Sequence, residues 1–125
     1  MTEFTLKLAN RPGQLAALAQ VLDDAGVNIE ALAAFGVNEE GYVRLVVDDA
    51  AGARRAFHEA GFSLEEREIL STLLPNRPGS FAAMARSLAE AGINIDAAYL
   101  LRSNPDGYEF AIAVNELEPA RKRLS

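Results

Sequence analysis

Residues 10–29, NRPGQLAALAQVLDDAGVNI, return as residues 76–95, NRPGSFAAMARSLAEAGINI, with twelve of twenty positions identical. Leu15/Phe81, Leu18/Met84, Asp24/Glu90 and Val27/Ile93 are conservative exchanges. Chance at ordinary composition gives about one or two matches. The chain is therefore a duplication, and both copies must fold alike within 125 residues. A unit of about 60 residues buries only about 60% of its unfolded surface and is marginal alone. The halves are thus expected to pack on each other or on another chain. Further on, Gly41-Tyr42 matches Gly107-Tyr108 at the same offset, and one extra turn residue then carries VRLVV onto FAIAV.

Each copy opens with alternation: Phe4, Leu6 and Leu8 on one face, Thr5 and Lys7 on the other, the pattern of a half-buried strand. Pro12 stops that strand and suits the first helical position, where a missing N–H is harmless. Leu15, Leu18, Ala19 and Leu22 then recur at helical spacing, as do Phe81, Met84, Ala85 and Leu88 in the second copy. Gly26 and Gly92 are placed as left-handed helix ends. VNIEALAAFGV predicts a second strand, NEEG a hairpin turn and YVRLVVD a third strand. Asp48 or Asp49 can cap a short helix running to about Ala60, with Gly61 after it. FSLEEREIL predicts a fourth strand, leading almost directly into STLLP, the first strand of the second copy.

The order is β-α-β-β-α-β, so the expected fold is α+β: two tandem ferredoxin-like units with antiparallel sheets, residues 1–70 and 71–125. After its third strand the second copy offers only ELEPARKRLS, so it is expected to lack its last strand. The strand at Ser71–Leu74 would then have an unpaired edge, which proteins normally cover.

Half the residues are apolar and 24% are charged, the balance of a globular chain. A net charge of −6 gives no general attraction to nucleic-acid phosphates or anionic membranes. There is no cysteine, which excludes disulfides, thiolate nucleophiles and Cys-based metal sites. No run approaches the roughly 18 apolar residues of a membrane span, and MTEFTLKLAN does not read as a secretory signal. A cytoplasmic location is expected, without membrane or nucleic-acid partners and without a cofactor.

A strand that breaks sharply into a helix leaves N–H groups unpaired at the positive end of the helix dipole, a place that holds carboxylates or phosphates. Gly13 and Gly79, lacking a Cβ, allow a close approach to that backbone. Asn10 and Asn76 bring a donor and an acceptor to the same mouth. An amino acid, with its carboxylate and ammonium close together, matches this set. The plainer reading of Asn-Arg-Pro-Gly is turn chemistry alone. Asn28 and Asn94, a second shared pair at the starts of the second strands, where Asn is a poor strand former, shift the balance toward a site, with simple turn residues after glycine as the alternative.

NRPG, an amphipathic helix, then AGVNI or AGINI resembles the ACT domain, a module that binds amino acids and regulates metabolic enzymes. The resemblance covers nearly the whole chain as two units, and NRPGSFAAMARSLAEAGINIDAAYL is especially similar to the serine-binding ACT domain of phosphoglycerate dehydrogenases. It implies units paired side by side, a homodimer, a possible partner enzyme, and a free amino acid or similar small carboxylate bound between units. Carried over, one site uses Asn10, Arg11, Pro12, Gly13, Gln14 and Leu15, closed by Asn94. The other uses Asn76, Arg77, Pro78, Gly79, Ser80 and Phe81, closed by Asn28. The serine-binding domains have a histidine two residues before the loop Asn. Here Leu8 and Leu74 stand there, which allows a less polar ligand. Gln14/Leu15 against Ser80/Phe81 further implies that the two sites differ.

His58 has no second ligand or base nearby in sequence and is expected to be exposed. Tyr42, Tyr99 and Tyr108 are expected to pack on the sheets. No catalytic residue or metal site is apparent. An acylphosphatase-like enzyme would need a phosphate-cradling loop that this turn does not resemble. An RNA-binding unit would show exposed aromatic and basic residues on its middle strands. A structural ACT module with empty sites is the main alternative within this fold.

Overall fold

The computed structural model describes residues 1–124. Strand β1 (Thr2–Ala9) leads to helix α1 (Gln14–Asp24), the hairpin of β2 (Ile29–Val37) and β3 (Glu40–Val47), helix α2 (Ala50–Glu59) and β4 (Leu64–Glu68). The second copy supplies β5 (Leu70–Leu74), α3 (Ser80–Glu90), β6 (Ile95–Asn104), β7 (Gly107–Val114) and α4 (Leu117–Leu124). Contacts divide the chain into Thr2–Arg67 and a unit from Glu68 onward that also takes in Met1, whose carbonyl accepts from the Ile69 amide.

In the first unit the strands lie in the order β2-β3-β1-β4. The alternating apolar positions Phe4 and Leu6 of β1, and Val43, Leu45 and Val47 of β3, face one core with Leu18 and Leu22 of α1 and Phe57 of α2. Phe57 is fully buried and meets Phe4 and Phe62 edge-on, at 6.3 and 5.7 Å between ring centres. Burying a ring of this kind is worth roughly 1.5–3 kcal/mol. Of the two expected caps, Asp49 serves α2, accepting from the Gly52 amide at 3.0 Å. Asp48 instead accepts from the Asn28 amide at 2.9 Å, tying the entry of β2 to the end of β3.

In the second unit the sheet order is β5-β7-β6, three strands among the described residues, with β5 paired only to β7. Leu70, Leu74, Met84, Leu88, Ile112 and Val114 form its core, which Ala120 of α4 joins. Both sheets are antiparallel along their recorded pairs.

Three sequence expectations shift. The helices begin at Gln14 and Ser80, so Pro12 and Pro78 sit in the preceding turn rather than at the first helical position. Gly13 and Gly79 intervene with φ of 90° and 91°, a left-handed turn that a side chain would strain. The first hairpin turns on Asn38-Glu39, one residue inside the expected NEEG, with Asn38 itself at φ 56°. Leu15 and Phe81 fall on the expected helical stripe yet remain 42% and 41% exposed, because they stand in the first turn, beyond the buried part of the core.

The match of Gly41-Tyr42 with Gly107-Tyr108 is also out of register in space. Gly41 lies opposite Leu8 on β1, whereas Tyr108 lies opposite the equivalent Leu74 on β5. The extra residue therefore acts before the Gly-Tyr pair, and Tyr108 occupies the place of Gly41. Tyr42 and Tyr108 consequently point to opposite faces of their sheets.

Candidate functional site

The first Asn-Arg-Pro-Gly loop is latched to the β2–β3 hairpin. The Asn10 amide donates to the Glu39 carbonyl at 2.8 Å, and its side-chain Nδ2 donates to the Asn38 carbonyl at 2.9 Å. This seat exists because Gly36 has no side chain: a Cβ there would lie 2.3 Å from Asn10 Nδ2. Among the described residues Asn76 makes neither bond. The Arg11 and Arg77 amides close matching tight turns onto Ala9 and Pro75, at 3.0 and 2.9 Å. Neither guanidinium has an ion-pair partner among the described residues.

No side chain caps α1 or α3. The Gln14 and Ser80 amides turn back onto the Arg11 and Arg77 carbonyls at 3.4 and 3.3 Å, and the amides that follow them in the first turn, at the positive end of each helix, are left to solvent or to a ligand. Beside α1 opens a cleft of about 210 Å³. Asn10, Arg11, Gln14 and Leu15 form its mouth. Leu8, Ala34, Gly41 and Val43 add apolar lining, and Phe35, Gly36 and Tyr42 line it as well. Phe35 and Tyr42 are stacked at 5.3 Å, and the Tyr42 hydroxyl donates to Glu40, which Lys7 also contacts at 2.9 Å. The hydrogen bond from Tyr42 and the one from Lys7 hold the Glu40 carboxyl below its ordinary range. The Glu40 bond in turn raises both Tyr42 and Lys7.

The structure thus brings Asn10, Arg11, Gln14 and Leu15 together at one mouth, with Pro12 and Gly13 in the turn between them. Asn28 is elsewhere. It precedes Ile29, which pairs with Val47, whereas Asn10 sits at the Gly36–Glu39 end of the same sheet. Eight residues of strand separate the two ends, on the order of 25 Å. Asn94 stands at the corresponding end of the second sheet, its Nδ2 donating to Asp96 at 2.8 Å and its amide to Asn115 at 2.9 Å. At the second mouth, Phe81 meets Phe110 edge-on at 5.4 Å, and the Ser80 hydroxyl oxygen is buried without a partner. His58 is exposed on α2.

Sequence reasoning missed Ala34, Phe35, Gly36 and Gly41 as parts of the site and treated Tyr42 as sheet packing alone. The available signal was the comparison of copies, but only with the one-residue shift placed before Gly41.

Two βαββ-containing units in one chain, each with a helix that opens on a glycine turn without a side-chain cap, define a paired ferredoxin-like fold. The chain belongs to the ACT domain family: the model of the ACT domain pair matches residues 1–114. No curated protein matches it in sequence. Among solved structures it is similar to a protein from Bacteroides thetaiotaomicron, with 23% identity and a TM-score of 0.89 over 98% of this chain and 85% of that one. It is also similar to the regulatory subunit of aspartate kinase from Thermus thermophilus, with 20% identity, a TM-score of 0.71, and 98% and 87% of the two chains covered. Aspartokinase alpha and beta subunits give 18% and 0.70 over 98% and 88%. No helix among the described residues is long and apolar enough to cross a membrane.

Proposed function

We propose that this ACT pair is a cytoplasmic sensor that binds a free amino acid or a similar small carboxylate and passes its state to a partner enzyme or regulator. The observation that carries the reading is the cleft at the first loop. There an uncapped helix N-terminus, an unpaired Arg11 and the Asn10 side chain converge on a space of ligand size. The ligand carboxylate sits against the first-turn amides of α1 with Arg11 beside it, and Asn10 Oδ1 accepts from the ammonium. Asn76, Arg77, Pro78, Gly79, Ser80 and Phe81 are the repeat counterparts of this mouth.

Asn28 and Asn94 lie too far from the loop of their own unit to close it. In this proposal they serve the loop of a neighbouring unit in a homodimer. The similarity of the second repeat to serine-binding ACT domains supports an amino-acid ligand. The structural likeness to a subunit described as regulatory in aspartate kinase supports a binding role rather than a catalytic one. Coupling to a partner then follows from differential affinity: the ligand favours whichever arrangement of units it binds more tightly.

The test is a thermal-shift screen of the twenty amino acids and small carboxylates on the wild type and on Asn10→Ala. A ligand at about 100 times its Kd adds roughly 2.7 kcal/mol, which moves the midpoint of a small domain by several degrees. The expected result is a selective shift in the wild type that is reduced in the variant. No shift with any compound rejects the reading.

A further inference from the structure

Resting on that reading, we infer that the first repeat alone holds the ligand, and that the ligand is an amino acid with an uncharged, apolar side chain of branched-aliphatic or small aromatic size. The argument comes from what the second repeat places at the same positions. Strand pairing sets the equivalences: Gly41 and Tyr108 face Leu8 and Leu74, and Val43 and Phe110 follow two residues on. Across the hairpins, Ala34 pairs with Val43 and Leu100 with Phe110, while Gly36 pairs with Gly41 and Ser103 with Tyr108. Leu15 and Phe81 match along the helices.

Four lining positions enlarge in the second copy: Gly41 to Tyr108, Val43 to Phe110, Ala34 to Leu100 and Leu15 to Phe81, while Gln14 gives way to the smaller Ser80 and Ser103 replaces a Gly36 already covered by Asn10. The Phe81 and Phe110 rings meet at 5.4 Å, and Leu74 is buried where Leu8 is only half-buried. On this reading the larger side chains take up the room that the first copy leaves open. The buried, unpartnered Ser80 hydroxyl is the feature there that favours a ligand.

The lining of the first cleft sets the ligand class. A space of about 210 Å³ exceeds the roughly 150 Å³ cavity that takes up benzene, and it is smaller than the roughly 300 Å³ and upward of drug-sized pockets. Leu8, Ala34, Gly41 and Val43 give its lining an apolar stretch, beside the polar side chains of Asn10, Arg11, Gln14 and Tyr42. A charged ligand side chain against that stretch would be desolvated without a partner. Arg11 is the sole cation at the mouth, which suits a single carboxylate.

The experiment is calorimetric titration of the full chain with glycine, serine, valine, leucine, isoleucine, phenylalanine, glutamate and lysine. It uses the wild type, Gly41→Tyr, Val43→Phe and Asn76→Ala. The expected result is one equivalent per chain, with an apolar amino acid preferred. Each methylene removed from it weakens binding roughly 10-fold or more. Gly41→Tyr copies the second repeat and should abolish binding. Val43→Phe copies it at a second position, inside the core, and serves if Gly41→Tyr does not fold. Asn76→Ala should leave affinity and stoichiometry unchanged. Two equivalents per chain, a charged or hydroxylated amino acid binding best, or undiminished binding in both filled variants overturns the inference while sparing the sensor reading. Absence of binding by every amino acid overturns both.

Discussion

The two Asn-Arg-Pro-Gly loops share four residues and a backbone, down to glycine φ angles of 90° and 91° and helices without side-chain caps. They do not share the side chains around it. The first opens on a cleft lined by Gly41, Ala34 and Val43, and the second has Tyr108, Leu100 and Phe110 at the positions that strand pairing makes equivalent. A loop motif therefore fixes the direction of the donors, while residues some 25 to 30 positions further along the chain decide whether anything fits before them. Duplication preserved the first property and diverged in the second.

The sharpest way to break the comparison is at the two Gly-Tyr pairs. Gly107 has φ 142°, and a Cβ there would come 2.2 Å from the Leu74 carbonyl oxygen, whereas at Gly41 the nearest such atom is 3.6 Å away. Gly107→Ala is expected to destabilise by about 3 kcal/mol or more, from backbone strain plus overpacking. Gly41→Ala should stay within about 1 kcal/mol. Urea midpoints of the two variants decide it, and equal effects would refute the register. Gly13→Ala and Gly79→Ala test the shared half of the comparison. Both force a Cβ into the left-handed turn and should each lose about 1–3 kcal/mol, equal within error in the same titration.

Asn10→Ala and Asn76→Ala come next. Removing the Nδ2 bond to Asn38 should lower stability by about 0.5–1.5 kcal/mol, while Asn76→Ala should remain within about 0.5 kcal/mol. The smallest effect is electrostatic. Lys7 and Tyr42 hold Glu40 below the ordinary carboxylate range, so this contact stabilises the fold above that range and is lost as acidification passes through the lowered value. Glu40→Gln should therefore flatten the acid limb of the stability profile slightly, with little change near neutral pH. The Glu40 side chain is about half exposed, so added salt should shrink the difference further.

Much of the fold could be read from the chain because the apolar periods are clean. Phe4 and Leu6 on β1, Leu18 and Leu22 on α1, and Met84 and Leu88 on α3 all face their cores as the spacing requires. The helix starts were misplaced by two residues because the proline rule competes with the left-handed glycine that follows each proline. The register of β7 was misread because identical Gly-Tyr letters outweighed a one-residue turn insertion that only strand pairing reveals. The cleft was illegible for another reason. It opens where Gly41 has no side chain, beside an Asn10 seated over Gly36, and an absence acquires meaning only once four elements are assembled around it.

The seat of Asn10 on Gly36 also sets a clock. The first loop cannot lift from the sheet without releasing two carbonyls at the tip of the β2–β3 hairpin, so the opening of one is the opening of the other. Exchange of the Asn10 amide with solvent should follow the slow breathing of that hairpin, while Asn76, with no such tie, exchanges at the rate of a free turn. A ligand entering the first mouth would then arrive and leave on the hairpin's timescale.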